Sequence, residues 1–179
     1  YSASKASSDL IIRSWIKTYN FPAMITNCSN NFGPWQYPEK LIPHTIARAL
    51  LRLKIPIYGN GQNERDWIHV NDHVKALINI SKNGSVGEKY NIGTGKTLTN
   101  ISLVKKICKI LDHKMNNENK IFKHEKLIIF VEDRKGHDFR YSVNSSKLKK
   151  LKNYQPQDNI NKLIENTIDW YLDNRKWLI

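Results

Sequence analysis

What this sequence lacks narrows it first. It has two cysteines, Cys28 and Cys108, too few for a disulfide framework or a cysteine-based zinc site. A reducing, cytoplasmic setting is therefore expected. No apolar run approaches the roughly 18–20 residues that a membrane span needs. The opening stretch from Tyr1 to Asp9 is polar and passes straight into a helical pattern, so no secretory leader is expected there. Glycine is sparse. The eight glycines stand at 33, 59, 61, 84, 87, 93, 95 and 136, and no three of them fit Gly-x-Gly-x-x-Gly after a strand. Gly93-Thr94-Gly95-Lys96-Thr97 imitates the end of a phosphate loop. The glycine that such a loop requires would fall on Tyr90, which excludes nucleotide hydrolysis through it. His69 and His73 have the spacing of a helical zinc pair, but Val70 stands where a glutamate would be needed and His69 falls on a strand, so no metal is expected. Acidic residues are also few: 16 Asp and Glu face 29 Lys and Arg, a formal charge of +13.

What is present is ordinary for a globular chain. The 179 residues are 40% apolar and 25% charged, enough to bury a core in one domain of common size. The lysine excess collects between Lys105 and Lys126 and in Lys147, Lys149, Lys150 and Lys152. Such a field suits a polyanionic substrate or nucleic acid. It equally describes a solvated basic face, because no aromatics interleave with the lysines in a stacking register. Neither a membrane nor a nucleic-acid partner is expected.

Strands and helices alternate, which predicts an α/β chain. Ser2 to Tyr19 reads as a helix capped by Ser2, with Leu10, Ile11, Trp15 and Ile16 at helical spacing and Asn20 and Pro22 ending it. Ala23 to Cys28 reads as a strand and Ser29 to Glu39 as a loop. Lys40 to Leu53 reads as a helix, Ile55 to Tyr58 and Arg65 to Val70 as strands, and Asp72 to Lys82 as a helix. Tyr90 to Ile92 is a short strand. Thr99 or Asn100 caps a helix whose buried stripe is Ile101, Val104, Ile107, Cys108 and Leu111. Lys114 to Lys126 is a polar connector, Leu127 to Val131 a strand, and Glu132 to Arg140 a polar loop. Asp158 caps a last helix bearing Ile160, Leu163, Ile164, Ile168 and Tyr171. A chain that opens on a well-formed helix reads as cut from something longer.

Three segments carry chemistry. Tyr1 and Lys5 lie four apart, so on a helix the phenol and the ammonium share a face. A nearby cation favours a phenolate, which suits a base that takes a proton from a sugar hydroxyl. Many helices hold this pair by chance, but the small flanking residues Ser2, Ala3, Ser4 and Ala6 would let a ligand approach closely. Asn27 to Pro34 follows a strand end, where α/β proteins bind ligands, and its amides suit a sugar or diphosphate. The same residue types also make turns. Asp133 to Arg140 follows another strand and gathers two arginines and a histidine beside a glycine. That set fits a diphosphate clamp, with Arg65 joining it, or else surface ion pairing with Asp66, Asp133 and Asp138.

Taken together, these residues resemble a known family. Tyr1 to Asp9, Thr26 to Pro34, the run Pro38-Glu39-Lys40-Leu41-Ile42-Pro43, Pro56-Ile57-Tyr58-Gly59, Arg65-Asp66-Trp67, Tyr90-Asn91-Ile92-Gly93 and Asp133 to Asp138 resemble the dTDP-glucose 4,6-dehydratase family. This is the nucleotide-sugar dehydratase branch of the extended short-chain dehydrogenase/reductase superfamily. The resemblance implies the C-terminal part of an NAD-binding Rossmann-type enzyme, with the smaller mixed α/β substrate-binding domain. Residues 1–29 would end the Rossmann domain. Residues 30–179 would be mainly the nucleotide-sugar-binding domain, with 55–82 returning to the Rossmann sheet. The N-terminal half, with the glycine fingerprint and the Asp/Glu dehydration pair, would be absent, leaving this chain inactive alone.

The resemblance implies conversion of dTDP-glucose to dTDP-4-keto-6-deoxyglucose in deoxysugar synthesis. The reaction oxidises C4 transiently with NAD, loses water across C5 and C6, and returns hydride to C6. Tyr1 and Lys5 would be the catalytic pair and, with Asn31, the cofactor contacts. Asn30, Lys40, Leu41, Pro56, Tyr58, Arg65, Asn100, Asp133, Arg134 and His137 would bind substrate. Among these, Arg65 and Arg134 would take the diphosphate, and Pro56 and Tyr58 would border the thymine and deoxyribose. Lys135 stands where the family commonly has proline. The resemblance also implies a homodimer, pairing through Leu10, Ile11 and Trp15 and through Leu41 to Leu51. The alternatives from sequence are another nucleotide-sugar dehydratase or epimerase, or a basic binding module without chemistry.

Overall fold

The computed structural model describes residues 1–115, 122–152, 154 and 159–178. Helix α1 spans Ser2–Tyr19 and closes where Asn20 takes a left-handed φ of 50°. Its cap position is Tyr1 and no side chain caps it, so Ser2 is the first helical residue rather than the cap. Strands β1 (Ile25–Cys28) and β2 (Asn30–Phe32) follow. The pattern missed β2 because its asparagines read as turn residues. Helix α2 is Leu41–Leu50, β3 is Ile55–Tyr58 and β4 is Glu64–His69. Helix α3 (Val70–Asn83) begins two residues before Asp72, because the His69 ring accepts the Asn71 N–H and caps it.

Strands β5 (Lys89–Ile92) and β6 (Thr97–Thr99) lead into α4 (Asn100–Met115). Thr99, not Asn100, is the cap, its hydroxyl accepting the Ser102 N–H at 3.2 Å. Of the expected polar connector, residues 116–121 lie outside the described residues, and His124–Leu127 forms a single 3-10 turn. Then come β7 (Ile128–Val131), β8 (Arg140–Tyr141), α5 (Ser146–Lys149), α6 (Ile160–Asp173) and α7 (Arg175–Leu178). Asp158 lies outside the described residues. The Asn159 side chain accepts the Lys162 N–H and caps α6.

Among the described residues, three small sheets organise the chain. β1 and β5 pair in parallel, with Ile25 opposite Lys89 and Cys28 opposite Ile92. β2, β4 and β6 form a second sheet, with β8 on β4. β3 and β7 pair in parallel. Two cores result. The larger holds Phe32, Trp67, β3 and the apolar faces of α2, α4 and α6. Each fully buried Ile or Leu there, such as Ile46, Ile55 and Leu103, contributes about 1.5–3 kcal/mol by leaving water. The smaller core holds Ile68, Ala76, Ile80, Tyr90 and Ile92, with Leu148 and Tyr154 closing it. The stretch 55–82 therefore runs from one core to the other, crossing within β4 between Trp67 and Ile68.

Helix α1 buries no residue, and Leu10, Ile11, Trp15 and Tyr19 are exposed. An ion pair of 2.9 Å between Asp9 and Lys89 ties it to β5. Helix α2 behaves differently from the expected pairing surface. Ile42, Ile46, Ala47 and Ala49 face the chain's own core, so little of that stretch is left for a second copy. Among the described residues, no helix is long and apolar enough to cross a membrane, and no group of three or more His, Cys, Asp or Glu could hold a metal ion. Both cysteines are free.

Candidate functional site

A cavity of about 460 Å³ opens where five elements meet. Residues on one strand face alternate, so Arg65 and Trp67 of β4 look the same way, and Asn30 lies opposite Trp67 in the neighbouring strand. On α2 and the residue before it, His44 is four from Lys40 and three from Leu41, so it shares a face with each. β3 contributes Pro56, Ile57 and Tyr58, and Asn100 enters from the start of α4. Arg134 and His137 close the cavity from the loop after β7. Nine of the ten residues assigned to substrate by resemblance thus surround one cavity. Asp133 does not line it.

Asp133 instead holds the loop. Its carboxylate accepts from His137 Nδ1 at 2.6 Å and from the Arg134 N–H at 2.8 Å. The bond with His137 draws the Asp133 carboxyl below the usual carboxylate range. His137 lies edge-on to the Tyr58 ring at 6.3 Å, and the Arg134 guanidinium sits 5.0 Å from the same ring's centre. Tyr58 is therefore the platform on which the loop rests.

Arg65 does more inside the chain than its sequence position implies. Its Nη1 donates to the carbonyls of Glu64 at 2.7 Å and Phe139 at 3.3 Å, and its Nη2 to that of Asp138 at 2.7 Å. Asn63 adds a bond from Nδ2 to the same Asp138 carbonyl at 3.3 Å. The guanidinium is buried, and burial lowers its pKa from the ordinary arginine value.

Tyr1, Lys5 and Asn31 stand apart from this cavity. Tyr1 is 94% exposed, and Lys5 Nζ lies 5.8 Å from the centre of its ring. Neighbours on a strand point to opposite faces, so Asn31 turns away from Asn30. Its Nδ2 donates to Cys28 Sγ at 3.3 Å and to the Ser29 carbonyl at 3.2 Å. Its Oδ1 meets His73 Nδ1 at 2.8 Å, which requires the hydrogen on that nitrogen. Burial lowers the pKa of His73 and favours this neutral ring. His73 is thus a hydrogen-bond partner of Asn31. Tyr141 donates to the Cys28 carbonyl at 3.3 Å, joining β8 to the end of β1.

The mock phosphate loop has an internal anion. Asp66 is fully buried, and it accepts from Thr94 N at 3.1 Å, Thr94 Oγ1 at 2.6 Å and Gly95 N at 3.0 Å. The turn's N–H groups are thereby occupied by the chain's own carboxylate.

Sequence reasoning missed four cavity residues: Glu39, His44, Ile57 and Trp67. Periodicity could have found two of them. His44 lies one helical turn beyond Lys40 and Leu41, and Trp67 lies two along the strand from Arg65. Ile57 sits between two assigned residues on a short strand. Glu39 pairs with Lys40 at 2.7 Å.

Residues 1–167 match the family described as GDP-mannose 4,6 dehydratase. A dTDP-glucose 4,6-dehydratase of Escherichia coli is 47% identical over 178 residues, covering 99% of this chain and 49% of that protein. Among solved structures, the dTDP-glucose 4,6-dehydratase of Bacillus anthracis in complex with NAD superposes with a TM-score of 0.87 at 42% identity, covering 99% of this chain and 53% of that one. The dTDP-glucose 4,6-dehydratase of Streptomyces venezuelae, solved with NAD bound, gives 0.89 at 38% identity, covering 99% and 52%. The chain spans about half the length of the curated relatives it matches.

Proposed function

Because the chain belongs to the family described as GDP-mannose 4,6 dehydratase, we propose that it forms the C-terminal half of an NAD-dependent dTDP-glucose 4,6-dehydratase. One observation carries this reading. Nine side chains suited to a nucleotide sugar converge on one cavity of about 460 Å³, while an exposed phenol and its ammonium neighbour stand apart on α1. The overall change would be loss of water from dTDP-glucose, giving dTDP-4-keto-6-deoxyglucose, in deoxysugar precursor synthesis.

The residues present fit one edge of NAD. Tyr1 and Lys5 lie at the start of a helix whose small side chains are exposed, which leaves room for a ribose and nicotinamide. Asn31, held by His73, would border the same group. Lacking a glycine fingerprint, the chain can supply only part of the cofactor site, and the rest must come from an N-terminal half. Held by Tyr1, Lys5 and Asn31 on this side, NAD would supply the reversible hydride chemistry for oxidation at C4 and reduction at C6.

The chain's own residues do the remaining work. Tyr1, acting as its phenolate, takes the proton of the C4 hydroxyl and becomes the phenol. Lys5 supplies positive charge beside that oxygen and donors for the ribose hydroxyls. Arg134 pairs with the diphosphate, and Arg65 lines the same end while fixing the loop. Leu41, Pro56 and Tyr58 give the base an apolar bed. Asn30 and Lys40 contact the sugar nucleotide, Asn100 meets its nucleotide end, and Asp133 with His137 keeps the loop closed. We assign the smaller core, with α1, β1, β5 and α3, to the cofactor domain and the larger core to the substrate domain. The exposed apolar residues of α1 would pair two copies, and the two free cysteines suit the cytoplasm.

The test is to supply the full-length protein with dTDP-glucose, UDP-glucose and NAD. A 4-keto-6-deoxy product from dTDP-glucose is expected. Product from UDP-glucose alone, or epimerisation without water loss, would contradict the reading.

A further inference from the structure

We infer that His44 contacts the nucleobase and sets much of the cavity's affinity for the base, an inference that rests on the nucleotide-sugar reading of this cavity. Several of the cavity's other polar groups are already engaged. Glu39 and Lys40 pair with each other at 2.7 Å. Arg65 is engaged with three main-chain carbonyls. His137 is bound to Asp133. Among the described residues, that leaves six polar side chains in the cavity for which no hydrogen bond is seen: Asn30, His44, Tyr58, Trp67, Asn100 and Arg134. Resemblance assigns a partner to Asn30, Tyr58, Asn100 and Arg134, and Trp67 Nε1 is buried out of a ligand's reach, which leaves His44.

The position of His44 selects the base. Arg134, packed on Tyr58 beside His137, makes the cationic end, which suits the diphosphate. His44 is three residues from Leu41 on one face of α2, and the apolar side chains of Leu41, Pro56, Ile57 and Trp67 line the same cavity. An apolar bed with one polar group is how a flat heterocycle is bound and oriented. Burial lowers the His44 pKa, helped by repulsion from Arg48, so the ring is neutral near pH 7. A neutral imidazole carries one donor and one acceptor. The imide edge of thymine carries both complements.

The test separates base from phosphate. Binding of dTDP and of deoxyribose 5-diphosphate, the same molecule without its base, is measured by calorimetry on the full-length protein. His44→Leu keeps the volume and removes the polar atoms. It should weaken dTDP about tenfold, the value of one hydrogen bond, and leave the abasic diphosphate unchanged. His44→Gln should recover part of the loss. Imidazole ¹⁵N resonances of His44 should move with dTDP and stay still with the abasic compound. Equal weakening of both ligands, or of neither, would overturn the inference while leaving the cavity reading intact. So would loss of base selectivity in Asn100→Leu but not in His44→Leu. Failure of the unsubstituted protein to bind dTDP would overturn the cavity reading itself, and this inference with it. Thermal melting of His44→Leu within a few degrees of the parent excludes misfolding as the cause.

Discussion

Arg65 Nη2 donates to the carbonyl of Asp138 at 2.7 Å, a bond that spans 73 residues of sequence. Through it, a side chain at the start of β4 fixes the main chain of the loop that roofs the cavity. The same guanidinium reaches the Phe139 carbonyl at 3.3 Å. A lysine there keeps the charge and loses the fork. Arg65→Lys should weaken dTDP binding about tenfold or more, since a hydrogen bond from a charged group contributes about 1.5–3 kcal/mol. Limited proteolysis should cut earlier after Lys135. Unchanged affinity and an unchanged digestion pattern would remove Arg65 from the role of loop anchor.

Gly93 is confined by a buried carboxylate. A Cβ at this position would lie 2.5 Å from Asp66 Oδ2 and 2.6 Å from Val143 Cγ2. Asp66 cannot retreat without breaking its bonds to Thr94 and Gly95. Gly93→Ala should therefore cost about 1–3 kcal/mol, as overpacking does. The melting temperature should fall by roughly 2–12 °C. A melting curve that overlays the parent's would show that the turn has slack.

Three histidines should make stability depend on pH. Burial holds His44, His69 and His73 below the ordinary histidine value. The unfolded chain takes up protons as pH drops below about 6.5, and the folded chain does so only further down. Their contribution is therefore complete above the unfolded value and is lost as pH falls through the folded values. Melting temperature should decline between pH 7.5 and pH 5, and His73→Gln should flatten that decline. A melting temperature that rises on acidification would contradict the assignment of these rings as neutral.

Trp15 marks the exposed face of α1. It packs edge-on against Tyr19 at 5.4 Å and Phe21 at 6.0 Å, and all three are exposed. The proposed pairing of two copies through α1 rests on this exposed apolar cluster. In sedimentation of the full-length protein, Trp15→Glu should shift a dimer to monomer. A dimer that persists would place the interface elsewhere.

Much of the fold was legible because the buried stripes keep their period. Val104, Ile107, Cys108 and Leu111 are all buried, as are Leu163, Ile164, Ile168 and Tyr171. The failures have physical causes. β2 is built of Asn30, Asn31 and Phe32, and two asparagines read as a turn until β4 pairs with them. β6 and β8 are too short to show alternation, and only their register on β4 makes them strands. At α3, the cap is a histidine ring rather than one of the usual short polar side chains. Within the site, the assigned residues came from matched motifs. His44 lay in such a motif's helix but beyond its quoted end, and the main-chain bonds of Arg65 depend on a loop 73 residues away.

The central claim is that Tyr1, outside the cavity that holds the nucleotide, takes the C4 hydroxyl proton of the bound sugar. The direct measurement is turnover of dTDP-glucose by the full-length Tyr1→Phe variant, alongside calorimetric binding of dTDP-glucose. Turnover should fall about 10²–10⁴-fold, the usual contribution of a positioned base, with affinity within about threefold of the parent. Undiminished formation of the 4-keto product would contradict the account.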